Sequence, residues 1–593
     1  MRVTNAADLL SIAWQHHQAG ALGQAEEMYR QIVAIDPHHA DAWHRLGVAV
    51  YQQGRHLEAI PLIARAIELA PGDPAMYCHL GAAQGSAGEL AAAVESFHQA
   101  LSIDSADPQA WFNLAAALAQ LDRPAEAIDG YQRALQAKPD FVQAWFNLGN
   151  VLRDSARNDE AIYAYEQAVH FVPDYAEAYN NLGSLFQRFG RLSEATAALR
   201  QALRAQPNYP RAKNNLAVVL TEEHEFDQAV ELLQQVIADQ PDFAEPYNNL
   251  GVALMHRGEL DAALAWVEQS LIMQPDSAEA HKNRAIIWLF QGDYERGWRE
   301  FEWRWKSKDF PPNPYPQPYW NGQPLPGGTL LLHAEQGLGD TIQFVRFAAA
   351  AGQLTKRTIL VCPPPLVTLL GRCGQNLEVL PQGAPLPPID AQASLMSLPG
   401  LLRTLPQAGS GSPPYLQPAA DLVEQWRAEL SGYAGLKVGI VWQGNPNYRG
   451  DQFRSVRLAE FLPLAEVAGA TFFSLQKGFG GEQVAEIADR LPLVDLSERL
   501  DDEAGPFMDT AAVMANLDLV ITTDTAAAHL AGALAVPVWV ALAHVPEWRW
   551  LLGREDCPWY PSMRLFRQVA PGDWPSVFGR MAAELGAMRD QER

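Results

Sequence analysis

Positive charge is in short supply: 44 Lys and Arg stand against 69 Asp and Glu, a formal net charge of -25. Nucleic-acid binding draws on a basic footprint that neutralises phosphates, so this balance argues against a nucleic-acid partner. Cysteine is scarcer still. Cys78, Cys362, Cys373 and Cys557 lie far apart, with no C-x-x-C pair and no ligand-like spacing, which argues against a disulfide framework and a zinc site and fits a reducing, cytoplasmic setting. No stretch approaches eighteen uninterrupted apolar residues, and the first residues, MRVTNAADLLSIAWQHHQAG, lack a basic segment followed by an apolar core. Neither a membrane span nor an export signal is expected.

What the chain has is length and apolar content: 593 residues, nearly half of them apolar, exceed what one hydrophobic core holds, so several domains are expected. Its strongest pattern is a period of 34 residues. Pro37, Pro71, Pro139, Pro173, Pro207, Pro241 and Pro275 share one register, with Ser105 in the gap. An aromatic follows at Trp43, Tyr77, Trp111, Trp145, Tyr179 and Tyr247, and a small residue four positions later at Gly47, Gly81, Ala115, Gly149, Gly183, Ala217 and Gly251. These are the marks of tetratricopeptide repeats, short helix pairs in which large and small residues alternate so that two helices approach closely before proline ends the second. Eight repeats run from about residue 6 to 277, and a degenerate ninth, GDYERGWREFEWRW, reads as a cap whose Trp298, Trp303 and Trp305 seal the array against the second half of the chain. Such arrays stack into superhelices with a concave surface suited to extended partners. Asn113, Asn147, Asn181, Asn215, Asn249 and Asn283 recur two residues after the aromatic position and would form a ladder. An amide offers donors and an acceptor to a peptide backbone, and asparagine here is equally a common repeat residue.

After Trp305 the composition changes. PPNPYPQPYWNGQPLPGG reads as a linker, putting a boundary near residue 310: repeats and cap over 1–310, linker over 311–328. Beyond it the apolar runs TLLLHA, TILVCP, VGIVW, TFFSLQ, DLVITT and VPVWVAL alternate with helical segments, the pattern of parallel strands buried on both faces. A Pro- and Gly-rich stretch at about 405–418 divides the runs into two groups, giving two doubly wound α/β lobes over 329–430 and 431–593. Open parallel sheets place ligands at the carboxyl ends of strands, and two loops stand out there. In HAEQGLGDTIQFVRF, Gly337 and Gly339 permit a tight turn and Asp340 begins a helix. In ITTDTAAAHLAGAL, Asp524 and Thr525 end a strand and the next helix presents its backbone amides. An aspartate at either place serves as a helix cap or as a functional carboxylate.

The segments EQGLGDTIQFVRF, VGIVWQGNP, FFSLQKG and DLVITTDTAAAHLAGAL, followed by EWRWLLGREDCPWYPSMRLFRQ, resemble a family of bacterial repeat-fused glycosyltransferases. Their catalytic half is similar to lipopolysaccharide heptosyltransferases of the GT-B fold, and the layout looks like O-linked N-acetylglucosamine transferase, whose repeats carry an asparagine ladder. The resemblance implies an all-α repeat superhelix followed by two Rossmann-like lobes, with an inverting transfer from a nucleotide-sugar donor to Ser or Thr of a protein held by the repeats. Asp340 matches the family's general base. Asp524, Thr525 and His529 match a D-T-G-x-x-H motif that holds the donor's pyrophosphate, with Ala526 standing where the motif has glycine. Lys477 and Arg454 would supply positive charge to the leaving diphosphate or be solvated surface cations, Gln476 and Asn445 would hydrogen-bond ribose or phosphate, and Met508, Asp509 and Thr510 would lie near the base. Flagellin glycosyltransferases are among the repeat-fused relatives, which makes flagellin one implied acceptor. No cofactor beyond the donor substrate is implied. No D-x-D triplet occurs, so metal-independent catalysis is expected. Two alternatives stand beside this one: transfer to a lipopolysaccharide or other surface glycan, and a repeat scaffold without catalysis.

Overall fold

The computed structural model describes residues 6–591 except 308, 309, 311, 312, 374–376, 405–411, 449 and 488. The start of the expected linker and residues 405–411 of the expected lobe divider lie outside the described residues. The chain divides into two compact units, Met1–His224 and Glu225–Arg593. The division falls earlier in the chain than the compositional change near residue 310, so the last helix pairs belong with the α/β half.

From Ala6 to Phe301 the described residues form eighteen helices in antiparallel pairs, typified by Ala40–Gln52 with His56–Leu69 in the first unit and Glu245–His256 with Leu260–Met273 in the second. The geometry explains why the matched columns travel together. The aromatic turns back on the residue six positions earlier: the indole N–H groups of Trp43, Trp111 and Trp145 donate to the carbonyls of Pro37, Ser105 and Pro139 at 3.1, 2.9 and 2.9 Å. In the second unit the Tyr247 hydroxyl donates to Pro241 O at 3.1 Å, and His281 takes the same part against Pro275 O at 2.7 Å. The small residue receives a side chain sixteen positions on. A methyl at Gly47 would lie 2.4 Å from Ile63, one at Gly81 2.7 Å from Phe97, one at Gly149 2.6 Å from Tyr165, and one at Gly251 2.4 Å from Val267.

A further column escaped the sequence reading. Gly20, Gly54, Gly88, Asp122, Ala156, Gly190, His224, Gly258 and Gly292 all adopt a left-handed backbone between the two helices of a pair, with φ from 55 to 89°. That conformation is where glycine is favoured and most other residues are strained, which accounts for glycine at six of the nine places.

The α/β half holds two parallel sheets. The first contains β1 (Leu325–His333), β2 (Thr355–Cys362), β3 (Leu377–Pro381) and β4 (Ala391–Ser394) in the order β3-β2-β1-β4. The second contains β5 (Leu436–Val441), β6 (Ala470–Ser474), β7 (Leu493–Asp495), β8 (Leu519–Thr523), β9 (Val538–Leu542) and β10 (Met563–Arg567), in the order β7-β6-β5-β8-β9-β10. Read by first appearance, the second is the doubly wound order 3-2-1-4-5-6, with its switch point between β5 and β8. The first sheet reverses between β1 and β4 in the same way. The second sheet's core is apolar on both faces: Val438, Ile440 and Trp442 are fully buried, and Val577, Phe578, Met581 and Leu585 of the Trp574–Gln591 helix pack over it.

Two segments lie differently from the expected layout. Helix Ala420–Leu430, read with the first lobe, packs on helix Met508–Met514 of the second, where the Trp426 indole donates to Asp509 at 2.8 Å. In the linker, Pro318 O and the Trp320 N–H hydrogen-bond the backbone of Gln392 in β4, and Trp320 is buried. Among the cap tryptophans, Trp298 meets Phe344 and Trp548 edge to face, and Trp305 lies 6.2 Å from His333 of β1. Trp303 instead stacks on His281 within the repeats, at 3.7 Å.

Candidate active site

Three loops open at the carboxyl ends of the switch-point strands: after β1, after β5 and after β8. The helices that follow the first and third, Leu338–Phe344 and Ala526–Ala533, pack on each other across the lobes. Gly339 makes this possible. A methyl there would lie 3.0 Å from Cδ2 of His529 and 3.5 Å from the Ala526 Cα. Neither Gly337 nor Gly339 has a left-handed backbone; Gly337 is extended, with φ -69 and ψ 174°. At Gly339 the glycine is needed for close packing of the two helices, with no left-handed backbone involved.

Asp340 combines a cap bond with an ion pair. Its Oδ2 accepts the Gly337 backbone N–H at 3.0 Å, as a cap does, while its Oδ1 accepts from the Arg549 guanidinium. Arg549 also donates through Nε to Gln343 Oε1 at 2.9 Å and lies 3.5 Å from Glu547, with its side chain 8% exposed against 20% for Asp340. A charged hydrogen bond at this burial is among the stronger polar contacts a protein makes. Arg549 comes from the second lobe and Asp340 from the first, so the pair spans the lobes. Sequence reading passed over Arg549; the run Glu547-Trp548-Arg549-Trp550, charged residues among tryptophans, was the available signal.

Asp524 and Thr525 are buried. Burial, reinforced by the negative charge of Glu547, pushes the Asp524 carboxyl up to about 6, against the opposing influence of Trp550, Arg454 and Arg549. Thr525 precedes the Ala526–Ala533 helix, its hydroxyl 3.1 Å from that of Thr522, and makes no side-chain cap bond. The first turn of that helix thus has no capping side chain. His529 is buried, its Nδ1 3.1 Å from the Tyr560 hydroxyl and its ring stacked 5.3 Å from Trp550. Burial, with Arg549 and Arg454 adding to it, lowers its pKa to about 3, which makes it a neutral imidazole at physiological pH.

The other expected donor contacts divide. Arg454 is held near the mouth of the β5 loop by Asp451 at 3.1 Å and lies 4.6 Å from the Tyr448 ring, whose hydroxyl reaches Glu547 at 3.3 Å. Asn445 is exposed in the same loop and accepts the Asn447 N–H at 3.0 Å. Gln476 is corrected. Its Oε1 accepts from the Trp442 and Gln443 amides, and its Nε2 donates to the Gln443 and Phe479 carbonyls, so its hydrogen-bonding groups clamp backbone and none is left for ribose or phosphate. Lys477 donates to Leu500 O and to Asp502 at 2.6 Å, half-exposed and already paired. Met508, Asp509 and Thr510 are buried in the helix Met508–Met514. Asp509 accepts from Trp426 and from the Asp501 N–H, and Asp501 in turn accepts from Thr510, so these residues fix the 501–510 turn.

The ladder asparagines brace the repeats. In the first unit Asn113 accepts from Gln109 at 3.0 Å, and Asn147 bonds the Tyr131 hydroxyl. Asn181 donates to Asn150 and Tyr165, and Asn215 to Asn180 at 2.9 Å and Ser184 at 3.1 Å. In the second unit Asn283 donates to Asn248 at 3.0 Å, and Asn249 accepts from Asn248 at 3.5 Å. At Asn181 and Asn215 the N–H groups are already engaged. Residues 35 apart meet because one period plus one position brings successive first helices face to face.

Comparison with known proteins agrees with the helical geometry. Family models described as tetratricopeptide repeat match residues 16–80 and 220–287, 108–151, and 176–209, and one described as TPR repeat matches 86–122 and 149–190. The helical half is a tetratricopeptide-repeat array. The chain is 30% identical over 325 residues to Protein FlbA of Caulobacter vibrioides, a match covering 50% of this chain and 52% of that protein. It therefore spans about half the length of the curated relative it matches. Among solved structures it is similar to MamA, at 25% identity and a TM-score of 0.27 over 27% of this chain and 95% of that one. It is also similar to YrrB, described as a TPR protein with an unusual peptide-binding site, at 22% identity and a TM-score of 0.29 over 32% of this chain and 96% of that one. Among the described residues no helix is long and apolar enough to cross a membrane.

Proposed function

We propose that the protein is a GT-B glycosyltransferase that moves a sugar from a nucleotide donor to Ser or Thr of a protein engaged by its repeats. The single observation that carries this reading is the interlobe cluster. A carboxylate from the β1 loop, Asp340, and a guanidinium from the second lobe, Arg549, lie at the switch points of two doubly wound sheets, beside a helix start without a capping side chain. Inverting transfer needs a base for the acceptor hydroxyl and preorganised positive charge for the leaving diphosphate. Asp340 is the candidate for the first, and Arg549, with Arg454 and the amides after Thr525, for the second. Repeats of this kind are protein-interaction units, which supports a peptide or protein acceptor over a small saccharide; flagellin is the first acceptor to test.

The test uses the full chain. Proteins captured by immobilised Asp340→Asn protein from cells carrying either the wild type or this variant are weighed intact. The proposal expects an acceptor heavier by whole sugar units only beside the wild type, and identical masses contradict it. Activity is also expected to survive a chelator, and complete loss would sink the metal-independent form of the proposal. A second reading, a scaffold that binds partners without transfer, draws on the internal engagement of Gln476 and Lys477. It predicts capture without any change of mass.

A further inference from the structure

Arg304 lies in the 3-10 turn Glu302–Lys306 that ends the cap of the repeat array, yet its side chain is 0% exposed. All five of its N–H groups are used. Nε and Nη2 form a fork onto Glu335 Oε1 and Oε2, each at 3.0 Å. Nη2 also donates to Ser397 Oγ at 2.8 Å, and Nη1 donates to Glu302 Oε1 at 2.7 Å and to Phe301 O at 3.1 Å. Ser397 completes the circuit by donating to Glu302 at 2.8 Å, and the guanidinium lies 4.6 Å from the Phe301 ring and 4.8 Å from that of Trp305.

What this guanidinium holds is informative. Glu335, 3% exposed, is the second residue after β1 and stands five positions before Asp340, and Ser397 follows β4 by three. β1 and β4 are the adjacent strands of the first sheet's switch point. One repeat-cap side chain therefore pins both strand ends from which the Asp340 loop departs. A buried ion pair contributes little net stability against a well-packed apolar substitute, whereas a two-point fork between planar groups fixes position and orientation together. We infer that Arg304 is a positioning residue for the Asp340 loop, so that the end of the repeat array is part of the framework of the candidate active site. The role of Asp340 rests on the transferase reading; the positioning does not.

The discriminating variant is the double substitution Arg304→Met with Glu335→Leu in the full chain, which removes the buried fork as a pair and leaves Glu302, 41% exposed, to solvent and the Ser397 hydroxyl. Arg304→Lys, which keeps the charge and loses the fork, is run beside it in case the double variant fails to fold. Hydrogen exchange is measured well below the unfolding transition. The expected result is exchange about tenfold faster at backbone amides of residues 334–341 in the double variant, and several-fold faster in Arg304→Lys, with amides of β5 and β8 unchanged. Exchange within twofold of wild type at 334–341, in whichever variant folds, overturns the proposal, as does acceleration spread evenly over the second unit. Donor turnover is read in parallel, with kcat expected to fall at least tenfold and donor KM to stay within twofold. A wild type that turns over no donor while the exchange shift is present would defeat the transferase reading and leave the positioning intact.

Discussion

The Arg549 guanidinium is the buried charge of the interlobe cluster, touching Asp340, Gln343 and Glu547. Replacing it with Met removes the preorganised cation and leaves Asp340 without its partner. Donor turnover is expected to fall by about 100-fold or more, the scale of losing one electrostatic stabiliser in a closed site, and turnover within threefold of wild type would remove Arg549 from the account. Asp524 yields a prediction in pH. Its folded pKa is raised to about 6, so the native state holds a proton that the unfolded chain releases at about 4. Native stability should therefore decline as pH rises through that window, by up to about 3 kcal/mol. Asp524→Asn should abolish this component, so denaturant titrations of the two proteins should diverge between pH 4 and 6 and run parallel above pH 7. Parallel profiles throughout would mean that the carboxylate is better solvated than its burial implies. Asp340 and Asp524 stood out as candidates because they lie at strand ends, whereas His529, inside the Ala526–Ala533 helix, was marked only by the family motif it matches. Arg549 was not legible, since its role comes from a contact 209 residues away in the chain.

At the scale of elements, the 34-residue period is a set of specific contacts. Gly251 faces Val267 at 2.4 Å and the carbonyl of Ala263 at 2.9 Å, measured from where a methyl would sit. A carbonyl in the helix backbone yields less readily than a side chain, so Gly251→Ala should destabilise by about 1–3 kcal/mol, read from the denaturant midpoint. The left-handed column makes the opposite prediction. Ala156 sits at φ +59° in a place where six of its eight counterparts are glycine, and Ala156→Gly should stabilise by roughly 1 kcal/mol. A loss of stability there would show that the alanine methyl makes a contact worth more than the strain. Strands were read unevenly for a physical reason. The runs in β1, β2, β5, β6, β8 and β9 announce themselves because they are buried on both faces. β4, AQAS, is buried at all four positions but carries no large apolar side chain, and β10, MRLFR, alternates charge with apolar residues at a sheet edge.

At the scale of the whole molecule, the composition change near 310 marks where helices give way to sheets, but the compact unit begins at Glu225. Periodicity reports which residues share a local pattern. It does not report which elements pack together, and Trp298 against Phe344 and Trp548 is a contact that no repeat pattern encodes. The last helix pairs therefore belong to the unit that carries Asp340 and Arg549, so the chain is best tested whole. The most direct measurement of the central claim is release of nucleoside diphosphate from a panel of nucleotide sugars by the full-length protein, wild type against Asp340→Asn. One donor should be turned over by the wild type, and the variant should release about 100-fold less or lower still. Equal release by both proteins, or no binding and no turnover of any donor in the panel, would contradict it.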